Sequence, residues 1–431
     1  MSFSARRNQR LKLYIPLIVF SFVIFLISLH DGIMSYMAPV IIEDRLNNTF
    51  WVGAVLSVSA LFGMFLNFVI AQFFSFKDYT FFMGGALLFA LGLPLAFLLL
   101  PRELIPFILA MLIWSVYYEL RNYSKYDFVH RFLPTEKNTL AWSVMTIFQS
   151  TSYMLGPAIT VFLVSKHTNL PLYVSLIITS VTVLVFFIFV SFYKRGEEAD
   201  TKPKEKHRSF WKEISVIKVL TRRIWALVIF SFTITLLDVT FWTTGVLYAE
   251  KLRVQSYWGG MFLILYCLPT IFIGWIIPHL YQSLGKKRTA LIAGIGSGIA
   301  LIFLGLTNNI FTILGLVVLV SIGYDIATIL ISATFEDYIT RLDTAKQDLV
   351  SINQLSGNLA YTIGPILMGF VSYKLGFGAS FAFAGILIIL ASGYALSVVP
   401  RKIKMPHVEL AEVLEKKEKK LWKNWIKLFR N

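Results

Sequence analysis

The chain has 431 residues, 57% of them hydrophobic and only 15% charged, with a mean hydropathy of +0.69. Soluble domains carry about 25% charged residues, so the polar surface that would cover a water-soluble globule is missing and a polytopic membrane protein is predicted. The net charge of +16 does not point to a nucleic-acid partner: counting Arg121 with the loop after the fourth span, all but six of the 40 Lys and Arg residues (Arg45, Arg102, Lys166, Lys251, Arg253 and Lys374) fall in the termini or in alternate loops, the positive-inside bias that puts both termini in the cytoplasm.

In chain order, apolar runs bounded by charged or Pro/Gly turns predict twelve spans. The first six are Leu13 to Ile42, Trp51 to Phe74, Phe81 to Leu100, Ile105 to Tyr123, Leu140 to Val164 and Leu170 to Tyr193. The basic stretch Met1 to Lys12 leads into an apolar run too long for a signal-peptide core, so it reads as the lead-in to a retained first span. The last six spans are Trp225 to Tyr248, Trp258 to Leu280, Ala290 to Leu306, Ile310 to Ile331, Leu349 to Tyr373 and Phe377 to Val399. The single cysteine, Cys267, lies inside one of them, so no disulfide framework forms. The predicted organisation is an all-α membrane protein of two six-helix bundles, residues 1–193 and 223–400. A charged cytoplasmic linker, 194–222, joins them. The basic tail 401–431 places Leu410, Leu414, Leu421, Trp425 and Leu428 on one side, as an amphipathic helix lying on the anionic leaflet would.

The halves resemble each other when shifted by 210 residues: Ser21 meets Ser231, Lys77 meets Lys287, Gly84 meets Gly294, Asp127 meets Asp337 and Arg131 meets Arg341. Gly156-Pro157 and Gly364-Pro365 fall two residues out of step. A parallel repeat about an axis along the membrane normal is a transporter architecture with substrate held between the halves. Between spans eight and nine the chain reads PHLYQSLGKKR, keeping Gly285, Lys286, Lys287 and Arg288, with Pro278 and Gln282 in place of a glycine and an acid. With this topology, the chain resembles the major facilitator superfamily over nearly its whole length. Leu155-Gly156-Pro157 is similar to the Gly-Pro motif of the family's antiporters, and Asp31 with Pro39 loosely resembles the acid-to-proline pattern of its drug/proton antiporters. The resemblance implies that spans one, four, seven and ten line a central cavity.

The main intramembrane acids fall one to each of those four spans: Asp31, Glu119, Asp238 and Asp325. Asp238 is 15 residues beyond Arg223, about 22 Å along a helix and close to the bilayer midplane. Thr235, Asp238 and Trp242 share a face there. A carboxylate is too costly to leave facing lipid, and desolvation favours its uncharged form, so these acids are candidate proton-coupling or substrate groups. Arg121 reads as the one basic residue at comparable depth; it pairs with an acid of a neighbouring span, holds an anionic substrate group or snorkels to the interface. Trp114, Tyr118 and Trp242 supply an aromatic cavity wall, and Gln149, Tyr153, Gln354, Asn358 and Tyr361 recur at helical spacing as hydrogen-bonding groups for substrate or for neighbouring helices. Asp127 with Arg131 and Asp337 with Arg341 either stabilise helix ends or, since they are duplicated, form a cytoplasmic gate together with Lys286, Lys287 and Arg288.

These readings predict a multi-pass plasma-membrane carrier, monomeric in the lipid bilayer, that moves a small-molecule substrate by alternating access and binds protons. Four acids against one arginine favour proton-coupled efflux of amphipathic neutral or cationic compounds. The alternatives are a proton-coupled uptake symporter for a sugar, amino acid or organic acid, and a non-transporting sensor or lipid scramblase. The six His residues are scattered and no phosphate-binding G-x-x-x-x-G-K-[ST] loop occurs, so neither an enzyme, a metal site, a cofactor nor ATP-driven transport is expected.

Overall fold

The computed structural model describes residues 3–74, 77–132, 138–193, 210–280, 285–341 and 346–399. The predicted tail and most of the predicted linker lie outside the described residues. The first half supplies α1 (Phe3–Leu46), α2 (Thr49–Phe73), α3 (Tyr79–Leu99), α4 (Leu104–Phe132), α5 (Asn138–Val164) and α6 (Leu170–Tyr193). The second supplies α7 (Phe210–Thr240), α8 (Val246–Gln255), α9 (Phe262–Leu280), α10 (Lys286–Leu306), α11 (Ile310–Arg341), α12 (Lys346–Leu375) and α13 (Phe377–Val398). Among the described residues, ten segments are long and apolar enough to cross a bilayer. One of them runs from α7 through a π-helical turn, Phe241–Gly245, into α8.

Several helices outrun their apolar cores. α7 begins at Phe210, inside the stretch expected to be linker: residues 210–222 contain no Pro or Gly, and Trp211, Ile214, Ile217 and Leu220 recur every third residue, so nothing stops the helix from propagating outward. α4 and α11 likewise continue beyond Tyr123 and Ile331. Asp78 starts α3 as its N-cap, accepting from the Phe81 N–H at 3.0 Å and the Thr80 hydroxyl at 2.7 Å. Desolvation pushes this carboxyl up, but those hydrogen bonds and nearby Arg131 outweigh it and hold its pKa below the ordinary value.

Within the first group of helices α1 lies against α5 and α6, and α3 against α4 and α6. Within the second, α10 sits between α11 and α13, while α7 packs on α12 and α13. Buried aromatics tie each group together: Phe20 of α1 stacks on Phe128 of α4 with centroids 3.9 Å apart, and Phe241 stacks on Tyr266 of α9 at the same distance. The groups touch along α2 with α12, α5 with α9, and α1 with α8.

The tightest of these contacts gather at the end that carries the turns after α1 and α12. Thr49 donates to the Gly369 carbonyl at 3.0 Å. Tyr36, fully buried, donates to Glu250 at 2.8 Å, and Glu250 pairs with Arg253 at 2.5 Å. A Cβ on Gly260 would come 2.6 Å from Val161. On Gly53 it would collide with the Pro365 backbone, so only glycine lets α2 and α12 approach this closely. Gly53→Ala is therefore expected to part the groups here, because overpacking of this kind costs about 1–3 kcal/mol. In a Cys267→Ser background, a Thr49→Cys thiol should be alkylated several-fold faster when Gly53→Ala is added; an unchanged rate would contradict the contact.

Candidate functional site

Asp31 lies mid-way along α1 and is 2% exposed. Each of its oxygens is engaged: Oδ1 accepts from Trp114 Nε1 at 3.0 Å, and Oδ2 from Arg121 Nη1 at 2.8 Å and from the Tyr153 hydroxyl at 2.5 Å. Arg121, wholly buried, also donates through Nη1 to the Tyr117 hydroxyl at 2.7 Å. Its guanidinium lies over the Tyr117 and Tyr118 rings, 5.1 and 4.8 Å from the centroids. Of the three fates open to Arg121, pairing with an acid of a neighbouring helix is the one seen.

Asp238 has a related setting with a different charge balance. Its Oδ1 accepts from the Tyr266 hydroxyl at 2.7 Å and its Oδ2 from the Tyr361 hydroxyl. Tyr153 and Tyr361 each stand three residues before a Gly-Pro pair, so Tyr-x-x-Gly-Pro occurs on both α5 and α12. In each copy the glycine lets the helix close on the residue after the aspartate. A Cβ on Gly156 would come 2.8 Å from Gly32 Cα, and one on Gly364 would come 2.7 Å from Val239. The same device thus presents a tyrosine hydroxyl to an aspartate in both groups, but no cation pairs with Asp238 among the described residues. Immediately beyond Asp238 the π turn widens the helix, and Trp242 within it meets Tyr153 of the other group at 5.8 Å between centroids. Tyr118 and Tyr361 keep 42% and 39% of their surface open at mid-helix.

The four acids do not all converge. Asp325, 4% exposed, accepts from Thr270 of α9 at 3.0 and 3.1 Å inside the second group. Glu119 is turned toward α2, where a Cβ on Gly63 would lie 2.8 Å from its Oε1. It stands two residues from Arg121, roughly 200° around a helix, and therefore cannot share the Asp31 site. Gln354 and Asn358 are exposed on α12. Gln149 accepts from Lys125 at 3.2 Å.

Lys125 corrects the reading of Arg121 as the one deep base. It is only 9% exposed, one turn along α4 from Arg121. The i, i+4 spacing of Tyr117, Arg121 and Lys125 is the signal that could have found it. Tyr266 and Thr270, the α9 donors to Asp238 and Asp325, were also missed by sequence reading, since nothing local marks which face of α9 meets α7 and α11.

The residues read as a gate fasten neighbours within one group. Asp127 accepts from Arg131 at 2.7 Å and from the Tyr79 N–H, the first residue of α3, at 2.6 Å. Asp337 pairs with Lys286, the first residue of α10, at 2.9 Å. Each acid therefore pins the start of the preceding helix. Arg288 is exposed, and the side chain of Arg341 lies outside the described residues. Among the described residues no group of His, Cys, Asp and Glu side chains could hold a metal ion.

No curated protein matches the chain. Among solved structures it is similar to a POT family transporter in complex with a thioalcohol-conjugated peptide, with 14% identity, 89% of this chain and 96% of that one covered and a TM-score of 0.69. The nucleoside transporter NupG has 12% identity, 90% and 100% coverage and a TM-score of 0.71. A bacterial homolog of the human lysosomal transporter Spinster, in an inward-facing and unoccupied conformation, has 12% identity, 89% and 96% coverage and a TM-score of 0.69. At these identities the likeness shows the fold. The family pattern of the Major Facilitator Superfamily matches residues 126–345 and 279–431, most of the chain, and the chain is a member of that superfamily of membrane transporters.

Proposed function

We propose that this protein is a proton-coupled secondary transporter that moves a small organic solute by alternating access, with the Asp238 carboxyl carrying the proton. One observation carries the reading: Asp31 and Asp238 are held by the same Tyr-x-x-Gly-Pro device, yet only Asp31 faces a guanidinium. Leaving a carboxylate buried without a cation costs several kcal/mol. At Asp31 the Arg121 charge offsets that cost permanently. At Asp238 only the neutral donors Tyr266, Tyr361 and Trp242 do so, and binding a proton removes the cost altogether, so occupancy of this site by a proton changes the energy of the closed arrangement around it.

The two helix groups rock about the α2–α12 and α5–α9 contacts, with both termini in the cytoplasm of a plasma-membrane monomer. The meeting of the groups at the Thr49, Gly53 and Tyr36 end then corresponds to a state closed on the outer side. Of the two directions of transport, uptake symport has the better support. Efflux of cationic amphiphiles rests on an excess of acid in the cavity, whereas the Asp31 charge is already taken up by Arg121. The Asp127 and Asp337 pairs serve cohesion within each group in this scheme.

Reconstitution in vesicles containing a pH-sensitive dye tests the proposal. Under an imposed pH gradient, addition of a transported solute from a panel of organic acids, amino acids and sugars should accelerate proton movement. A panel that leaves proton movement unchanged, alongside a functional control transporter, would overturn it.

A further inference from the structure

We infer that Arg121 and Lys125 bind the oxyanion group of the transported solute, and that the solute is a small organic carboxylate with an apolar or aromatic body; this rests on the transporter reading above. The guanidinium uses a single nitrogen, Nη1, for both Asp31 and Tyr117. Its Nε and Nη2 are buried and have no hydrogen-bond partner among the described residues. That edge is the planar fork that takes a carboxylate with two parallel N–H···O bonds. Asp31 does not occupy that edge: it meets the guanidinium through Nη1 alone.

Natural proteins rarely leave buried donors of this kind unmatched, and here the unmatched pair belongs to a charged group. Lys125 places a second nitrogen donor on the same face of α4, about 6 Å along the axis, and among the described residues its Nζ reaches only the neutral Gln149. An anion at this edge matches the open donors and favours the charged form of Lys125, whereas a cation there does neither. Tyr118 lies over the guanidinium and keeps 42% of its surface open. Its ring, with Tyr153 and Trp242, offers aromatic walls to the body of the solute.

The test uses the purified full chain in detergent, titrated with benzoate, phenyl phosphate, benzamide and benzylamine while thermal unfolding is followed. Benzoate should raise the unfolding temperature saturably, with benzamide and benzylamine inert at the same concentrations. Arg121→Lys keeps the charge but not the fork and should weaken benzoate about tenfold or more; Lys125→Gln should weaken it a few-fold and leave benzamide inert. If Arg121→Lys fails to fold, Lys125→Gln alone decides, and undiminished benzoate binding in it overturns the site. Binding by benzamide or benzylamine equal to that of benzoate, or no response to any probe, overturns the proposal, and response to phenyl phosphate alone overturns the carboxylate class. Because no gradient is involved, a protein that binds benzoate yet moves no solute into vesicles defeats the transporter reading and leaves the site standing. Benzoate inert beside pH-driven flux of another solute does the reverse.

Discussion

Asp238→Asn is expected to abolish pH-driven solute accumulation while preserving solute exchange between equilibrated compartments. The amide is nearly the shape of the carboxyl and still presents an oxygen to Tyr266, which donates to Asp238 Oδ1 at 2.7 Å, so local packing survives. What is lost is the exchangeable proton. A positioned proton-transfer group contributes on the order of 10²-fold or more, and a loss of that size in the pH-driven rate, with exchange within a few-fold of the parent, identifies the coupling step. Asp325→Asn is the internal comparison. Its carboxyl meets Thr270 inside the second group and is not held by the repeated tyrosine device, so its effect should be smaller. Full pH-driven accumulation by Asp238→Asn would remove Asp238 from the mechanism, and equal loss in both variants would spread the proton site over the two acids.

The depth of Asp238 was legible in the sequence because helix rise and the position of Arg223 fix it without any knowledge of neighbours. The Gly-Pro pairs and the two tyrosines were equally visible as separate features. Their union was not, because the three-residue spacing from Tyr153 to Gly156 and from Tyr361 to Gly364 acquires meaning only when Gly32 and Val239 are seen packed against those glycines. The partner of Arg121 stayed open for the same reason: helical periodicity places a side chain on a face, and tertiary packing decides that α1 meets it. Lys125 was hidden by the charge-counting rule itself, which assigns a base at the end of an apolar run to the adjoining loop, whereas α4 continues as helix to Phe132. The divergence of Glu119 from Arg121 could be read from spacing alone. That Glu119 then meets Gly63 of α2 could not.

Removing either member of the Asp31–Arg121 pair is expected to destabilise the fold more than Gly53→Ala, Asp238→Asn or Lys125→Gln does. Breaking a buried pair from one side leaves an uncompensated charge and costs about 3–5 kcal/mol. The two single variants should nevertheless differ. Arg121→Gln leaves one carboxylate that Trp114 and Tyr153 still hydrogen-bond, and proton binding can neutralise it. Asp31→Asn leaves the buried Arg121 charge with no acid beside it, and a guanidinium cannot shed its proton. Asp31→Asn should therefore unfold at the lower temperature in detergent, with the gap between the two variants widening as the pH is lowered, since acid rescues only the bare carboxylate of Arg121→Gln. The double variant Asp31→Asn with Arg121→Gln removes both charges and should recover most of the loss, a non-additivity expected only of directly coupled residues. Single variants that each cost under about 1 kcal/mol would mean that water screens the pair as it does surface ion pairs; the contrast between a permanently neutralised Asp31 and a proton-dependent Asp238, on which the coupling scheme depends, would then fail with it.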